Sequence, residues 1–234
     1  KMTSPLGFVT EFTYDVMDNV IKETNSLGQT TTYTYDVLGR MTKSVNAGGA
    51  STVFGYDFRN NLTSETNALG YTTTYRYDTL NRLVEEKNPL GYSTKYTYDP
   101  VGNLESMLAP GGAKTSYSYD ANGNVTKQTD PLGNATTYTY DKSNRLTKVT
   151  DARKQAQTYQ YDAKAQITKE TDKAGNTTGY TYDLHGNVVT VTDRAGYNTN
   201  YSYDSTDLMT RVETAGGSSA TYTYDNMGDR KSVV

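Results

Sequence analysis

The sequence predicts an all-β chain of tandem 21-residue antiparallel β-hairpins, forming one long, curled, spiralling sheet. Three observations predict it. A 21-residue period runs without a break, and two turn signatures recur in every period. No stretch carries a helical apolar period of useful length.

The period is marked by Tyr-Asp pairs ending at Asp15, Asp36, Asp57, Asp78, Asp99, Asp120, Asp141, Asp162, Asp183, Asp204 and Asp225. Another aromatic stands two residues before each of these tyrosines, as in Phe12, Tyr33, Phe54, Tyr75, Tyr96, Tyr117, Tyr138, Tyr159, Tyr180, Tyr201 and Tyr222. Residues 1–234 therefore read as a single array of eleven copies. Lys1 and Val234 both fall inside strands of the repeat, so the array is expected to be truncated at both ends.

The first turn of each copy opens at the Asp of the pair. Asp36-Val37-Leu38-Gly39, Asp120-Ala121-Asn122-Gly123 and Asp183-Leu184-His185-Gly186 have Asp first and Gly fourth, the grammar of a type I turn. Where that Gly is missing, Asp18, Asn60, Asn81, Asn144 or Asp207 replaces it, residues that tolerate a left-handed backbone. Such a turn is a common hairpin connection with a bulge. The second turn reads alike in Asp130-Pro131-Leu132-Gly133, Asn88-Pro89-Leu90-Gly91 and Ser4-Pro5-Leu6-Gly7. One copy is irregular: Lys154 and Ala165 occupy positions that ask for positive φ. A local change of turn geometry or curvature is expected there, with Arg153 and Lys154 exposed.

Between the turns lie strand-length runs rich in Thr, Tyr and Val. Alternation puts Thr31, Tyr33 and Tyr35 on one side and Thr32 and Thr34 on the other. The same rule pairs Tyr75 with Tyr77, Tyr96 with Tyr98, Tyr117 with Tyr119, Tyr138 with Tyr140 and Tyr180 with Tyr182. The return strand offers one aliphatic residue five places after the Asp, such as Met41, Leu83, Val125 or Ile167.

Only 34% of residues are hydrophobic, 23 of them tyrosine, with no Trp. That is too little aliphatic mass for an ordinary core of this size, so stability must come from ladder bonds and stacked cross-strand pairs. About 22 strands would make a strip roughly 100 Å long, which should coil with its tyrosine face inward. Net charge is −3 and no basic patch is evident along the chain, which gives nucleic-acid binding little support. Lys22-Glu23, Glu85-Glu86 and Lys169-Glu170 read as a solvated outer face. There is no cysteine, and no stretch approaches the length of a membrane span.

The motif Tyr-x-Tyr-Asp-x-x-Gly-Arg/Asn-Leu, to which residues 33–41, 75–83 and 138–146 are close matches, resembles the Rhs/YD-repeat family over essentially the whole chain. The resemblance implies a segment of a hollow YD-repeat shell. In bacterial members such a shell commonly encloses a polymorphic toxin domain, and related arrays occur in insecticidal toxin-complex C components and teneurins. The implied role is a non-catalytic scaffold of a secreted or cell-surface protein, partnered by flanking repeats and by an enclosed or C-terminal effector domain of the same parent chain. Family shells that release cargo carry an Asp-Pro-x-Gly motif with autoproteolytic aspartates, but Asp130–Gly133 sits in register with the ordinary turns.

No catalytic, cofactor or metal residues are expected. His185, the single histidine, reads as an exposed turn residue without partners for catalysis. The Asp/Asn turns lack EF-hand spacing, which argues against calcium. The residues assigned a role are structural: Tyr33, Tyr35, Asp36, Gly39, Tyr75, Tyr77, Asp78, Tyr96, Tyr98, Asp99, Tyr117, Tyr119, Asp120, Gly123, Gly133, Tyr138, Tyr140, Asp141, Tyr180, Tyr182 and Asp183. The alternative reading is an extracellular adhesion module, with the aromatic ladder binding glycans or a cell-surface partner.

Overall fold

The computed structural model describes residues 2–3, 8–225 and 227–233. The Ser4–Gly7 turn lies outside the described residues. The chain divides into two compact units, Lys1–Thr115 and Ser116–Val234. Each is an antiparallel meander of short strands.

In the first unit a two-residue strand, Met2–Thr3, pairs with Val9–Tyr14. Hairpins then follow as Val9–Tyr14 with Val20–Thr24, Thr30–Tyr35 with Met41–Val45, Ser51–Tyr56 with Leu62–Thr66, Thr72–Tyr77 with Leu83–Lys87, and Ser93–Tyr98 with Leu104–Leu108. The second unit continues the pattern from Lys114–Tyr119 with Val125–Thr129 to Ser219–Tyr224 with Arg230–Val233. The single helical turn among the described residues is Pro110–Gly112. There Ala109 stands where other copies have Asp or Asn, so the turn has no side-chain acceptor. Gly111 takes φ 84° and ψ 1°, a type II conformation.

One period can be read off residues 36–56. Asp36 to Arg40 is a turn, Met41–Val45 a return strand, residues 46–50 a second turn, and Ser51–Tyr56 the next outgoing strand. Both turns have the same backbone bonds. Gly39 N donates to Asp36 O at 3.0 Å and Asp36 N to Arg40 O at 3.0 Å; Gly49 N donates to Asn46 O and Asn46 N to Ala50 O, both at 2.9 Å. Asp36 Oδ1 accepts from the amides of Leu38 and Arg40, which holds the turn closed. The fourth residue is left-handed, with Gly39 at φ 75°, Gly123 at 82° and Gly133 at 83°.

The irregular copy corrects an expectation. Lys154 and Ala165 are left-handed, at φ 67° and 65°, and their turns keep the standard bonds, Lys154 N to Asp151 O and Ala165 N to Asp162 O. Turn geometry does not change. A non-glycine residue in that conformation costs about 1–2 kcal/mol, which the closing bonds and the Asp151 and Asp162 carboxylates offset. Arg153 and Lys154 are exposed.

Besides the bulge expected at the turn itself, a second bulge lies one step further along the return strand. Beyond the Asp36 turn, Tyr35 faces Met41 but Thr34 faces Lys43, so Thr42 is an extra residue on the return strand. The same bulge recurs in the other hairpins, as at Thr126 and Thr147. The Thr42 hydroxyl donates to Thr34 O at 3.2 Å, and Thr147 to Thr139 O at 3.1 Å, each serving a carbonyl beside the bulge.

Among the described residues no hydrophobic side chain is fully buried, and Ser106, 4% exposed, is the one buried polar residue. Within each unit the paired tyrosines from Tyr33 onward are half-buried on one face of the strands, with alternating Thr34, Thr97 and Ser118 exposed on the other, while Tyr14, Tyr71, Tyr92 and Tyr197 are exposed. Exposed aliphatics such as Leu38, Leu80 and Leu132 sit at turn tips.

Candidate functional site

Apart from Gly133, which lies in the turn at the opposite edge, the residues assigned a structural role converge on one edge of the hairpins, where the Tyr-Asp turns lie. The bulge separates neighbouring hairpins there: Ser51, Thr52 and Val53 pair backward with residues 43–45, whereas Phe54 and Tyr56 pair forward only. The second tyrosine bridges the gap. Tyr56 Oη donates to Met41 O at 2.9 Å, a carbonyl of the preceding hairpin. Tyr35 and Tyr98 do the same in the first unit, and Tyr140, Tyr161, Tyr182, Tyr203 and Tyr224 in the second, each reaching fifteen residues back. Burial pushes the phenols of Tyr140, Tyr161, Tyr182 and Tyr203 up from their ordinary value.

The first tyrosine of each pair packs beside the preceding return strand. Tyr33 Oη lies 3.2 Å from Glu23, Tyr180 Oη 3.4 Å from Glu170, and Tyr138 Oη 3.4 Å from Gln128. Tyr75, Tyr96 and Tyr117 are half-buried at the same repeat position.

The residue after the turn glycine supplies a second bridge. Arg40 donates from Nε to its own Asp36 Oδ2 at 2.7 Å and from Nη1 to Asp57 O of the next turn at 2.8 Å. Its guanidinium also lies 4.9 Å from the ring centre of Tyr56. Arg82 and Arg145 repeat all three contacts on Asp78, Asp99 and Tyr98, and on Asp141, Asp162 and Tyr161. Asparagine does a shorter version: Asn61 and Asn124 hold Asp57 and Asp120 and reach Asn81 and Asn144. The Arg40 side chain holds the Asp36 carboxyl below its ordinary value, and the Asn124 amide does so for Asp120. Asp99 and Asp183 make the same turn bonds, with Asn103 and Asn187.

His185 is exposed, as expected, but it has a partner. Its Nδ1 lies 2.8 Å from Asp207 Oδ1 in the next turn, and that bond raises the imidazole pKa. Asp207 fills a glycine position twenty-two residues away, which no local reading connects to a histidine. Asp130–Gly133 has the bonds of an ordinary turn.

Strand alternation separates charges that the sequence mixes. Lys22 and Lys169 point away from the tyrosines and are exposed, whereas Glu23 and Glu170 are half-buried beside tyrosine hydroxyls. The adjacent Lys-Glu pairs therefore do not form one solvated face; they belong to two faces. A recess of about 670 Å³ beside Asp204, Thr206, Leu208 and Tyr224 has, among the described residues, no histidine, lysine or arginine in its lining. Among the described residues no group of three or more His, Cys, Asp or Glu side chains could hold a metal, and no helix is long and apolar enough to cross a membrane.

Backbone and edge geometry together define a class: a tandem β-hairpin repeat protein in which side chains tie each hairpin to the next. The RHS Repeat family matches residues 18–52, 56–93, 77–115, 98–134, 119–156, 140–177, 161–199 and 182–219, and the chain belongs to that family. No curated protein matches it. Among solved structures it is similar to a crystal structure of TcdB2-TccC3 at 13% identity and TM-score 0.57, over 93% of this chain and 17% of that one. TcdB2-TccC3 without the hypervariable C-terminal region gives 14% identity and TM-score 0.56, over 96% of this chain and 17% of that one. The Photorhabdus luminescens Tc holotoxin pore gives 16% identity and TM-score 0.51, over 92% and 15% respectively. The chain thus spans about a sixth of those proteins, and at such identities the likeness is one of fold.

Proposed function

We propose that this chain is a non-catalytic wall segment of an RHS repeat shell that encloses or presents a toxin or other C-terminal domain of a larger secreted or surface protein. Its partners are the flanking repeats and that domain of the same parent chain. One observation carries the reading. The repeated tyrosine hydroxyls and Arg/Asn side chains reach neighbouring hairpins, and the turn carboxylates close their own turns, which suits a wall more than a recognition surface.

The similar folds of toxin-complex components support this role, as do the turn bonds of Asp130, which match those of its structural counterparts. The glycan reading through the tyrosine ladder loses ground because Tyr56, Tyr140 and Tyr161 already use their hydroxyls.

Tyr161→Ala tests the choice. A wall residue should give faster amide exchange around residues 138–182, with distant repeats protected. Unchanged exchange together with loss of binding on a glycan array would instead make the tyrosines a recognition surface. In the parent protein, a carried domain that digests as fast with the intact array as without it would refute enclosure.

A further inference from the structure

We infer that Asn122 is a self-modification site, whose side-chain amide is lost to the backbone nitrogen of Gly123 when the turn at residues 120–123 opens. Asn122-Gly123 is the one Asn-Gly step in the sequence. The fold explains why it exists. The fourth residue of a Tyr-Asp turn is left-handed, and in this copy Gly123 fills that place at φ 82°. The third residue is an exposed tip that elsewhere holds Leu38, Arg59, Ser143 or His185, so its identity is free. Here it is asparagine, and both Asn122 and Gly123 are exposed.

The reaction needs only the chain and water. The Gly123 nitrogen bonds to Asn122 Cγ, the Cγ–Nδ2 bond breaks, and the Gly123 amide proton leaves with Nδ2 as ammonia. Water then opens the resulting cyclic imide. Cleavage at Cγ gives aspartate; cleavage at the main-chain carbonyl gives isoaspartate, with the backbone rerouted through the side chain. Glycine favours ring closure because no Cβ crowds the attacking nitrogen.

The closed turn holds this reaction back. Gly123 N donates to Asp120 O at 3.1 Å, Asn122 N to Asp120 Oδ1 at 2.9 Å, and Asn122 Nδ2 to Asn144 Oδ1 of the next turn at 2.9 Å. The third residue of a type I turn also sits near ψ 0°, where the following nitrogen eclipses the residue's own nitrogen rather than Cβ, as the imide ring requires. Ring closure therefore belongs to the opened turn. Conversion removes the Asn122 donor and places a second carboxylate beside Asp120. Isoaspartate also lengthens the backbone inside the turn, which offsets Asp120 N from Asn124 O. Asn124 still reaches Asn144 at 2.9 Å, so the two hairpins are loosened without being parted.

The test is to age the whole 234-residue chain, folded, in warm and mildly alkaline buffer, and to map its peptides by mass spectrometry. Conversion of amide to acid should concentrate in the peptide holding Asn122, with isoaspartate revealed by an isoaspartate-specific methyltransferase. It should be much slower at Asn46, Asn67 and Asn134, which precede alanine. Asn122→Ser should abolish it. Asp120→Ala releases the amides of Asn122 and Asn124 and should speed the reaction roughly fivefold. Asp120→Asn keeps an acceptor oxygen, as Asn46 does in its own turn, and should leave the rate within about twofold. A folded chain that stays intact at Asn122 while the same chain reacts in urea would overturn the site. Equal acceleration by the two Asp120 variants would overturn its control by turn opening.

Discussion

Apart from residues 109–112, the described turns at the two edges of the hairpins share one geometry, yet the two edges behave differently. Around Asp141 the carboxylate accepts the amides of Ser143 and Arg145, and Arg145 carries the connection to Asp162 and Tyr161 of the next hairpin. Around Asp151 the carboxylate accepts the equivalent amides of Arg153 and Gln155, but Gln155 reaches no further turn. On that edge Lys173 reaches Asp151 of the preceding turn at 2.7 Å. An identical local solution therefore serves two purposes. On one edge it closes a hairpin; on the other it also fastens hairpins where the bulge has parted their backbones.

The largest break in this comparison should come from Tyr161→Ala, which removes the hydroxyl bond to Leu146 O and the ring under Arg145. For a half-buried ring we expect about 2 kcal/mol, with opening centred on the two hairpins it joins. Tyr161→Phe should cost about 1 kcal/mol, and Gln160→Ala, on the exposed face, almost nothing. Chemical denaturation of the three variants separates ring from hydroxyl; equal losses for Ala and Phe would mean that the ring contributes nothing.

Arg145→Ala should be milder and tests the asymmetry directly. We expect its melting temperature to fall by about 3 °C, against no measurable change for Gln155→Ala at the matching place on the other edge. Equal shifts would show that the connection beyond the turn carries no weight.

Acid sharpens the comparison further. The backbone amide of Arg145 holds Asp141 below its ordinary 3.8, and the Asn134 side chain does the same for Asp130. A depressed folded-state pKa contributes stability above the unfolded value, and that contribution is lost as pH falls through the folded value. In the first unit the second turns use Asn25, Asn46, Asn67 and Asn88, which do not titrate. Lowering pH below 3.8 should therefore shift the NMR signals of Leu132 and Asn134, bonded to Asp130, while Gly48 and Ala50, bonded to Asn46, stay in place. His185 has the opposite sign: its charge on Asp207 is present below its raised pKa and fades as pH rises through it.

The smallest effect should be a gain. Lys154 sits at φ 67° in a standard turn, so Lys154→Gly relieves a left-handed side chain and should stabilise by about 0.5–1 kcal/mol, less any unfolded-state entropy gained by glycine. A loss measured by denaturation would reveal a contact of the Lys154 side chain.

What could be read from residues alone was whatever is local and repeated. Asp36 and Gly39 define a turn within four residues, alternation puts Tyr33 and Tyr35 on one face, and eleven copies make the period unmistakable. Even the left-handed conformations at Asn60, Asn81 and Asn144 follow from residue type. The irregular copy was misjudged because residue type at Lys154 and Ala165 was weighed without the closing bonds that override it.

The interactions between hairpins needed the tertiary structure. Tyr56 to Met41, Arg40 to Asp57 and His185 to Asp207 join residues fifteen to twenty-two positions apart. Whether they meet depends on the offset of one hairpin from the next, which the bulge at Thr42 and its equivalents sets. Turn chemistry acts over four residues and is written in their names; register acts across strands, and only the paired sheet decides it.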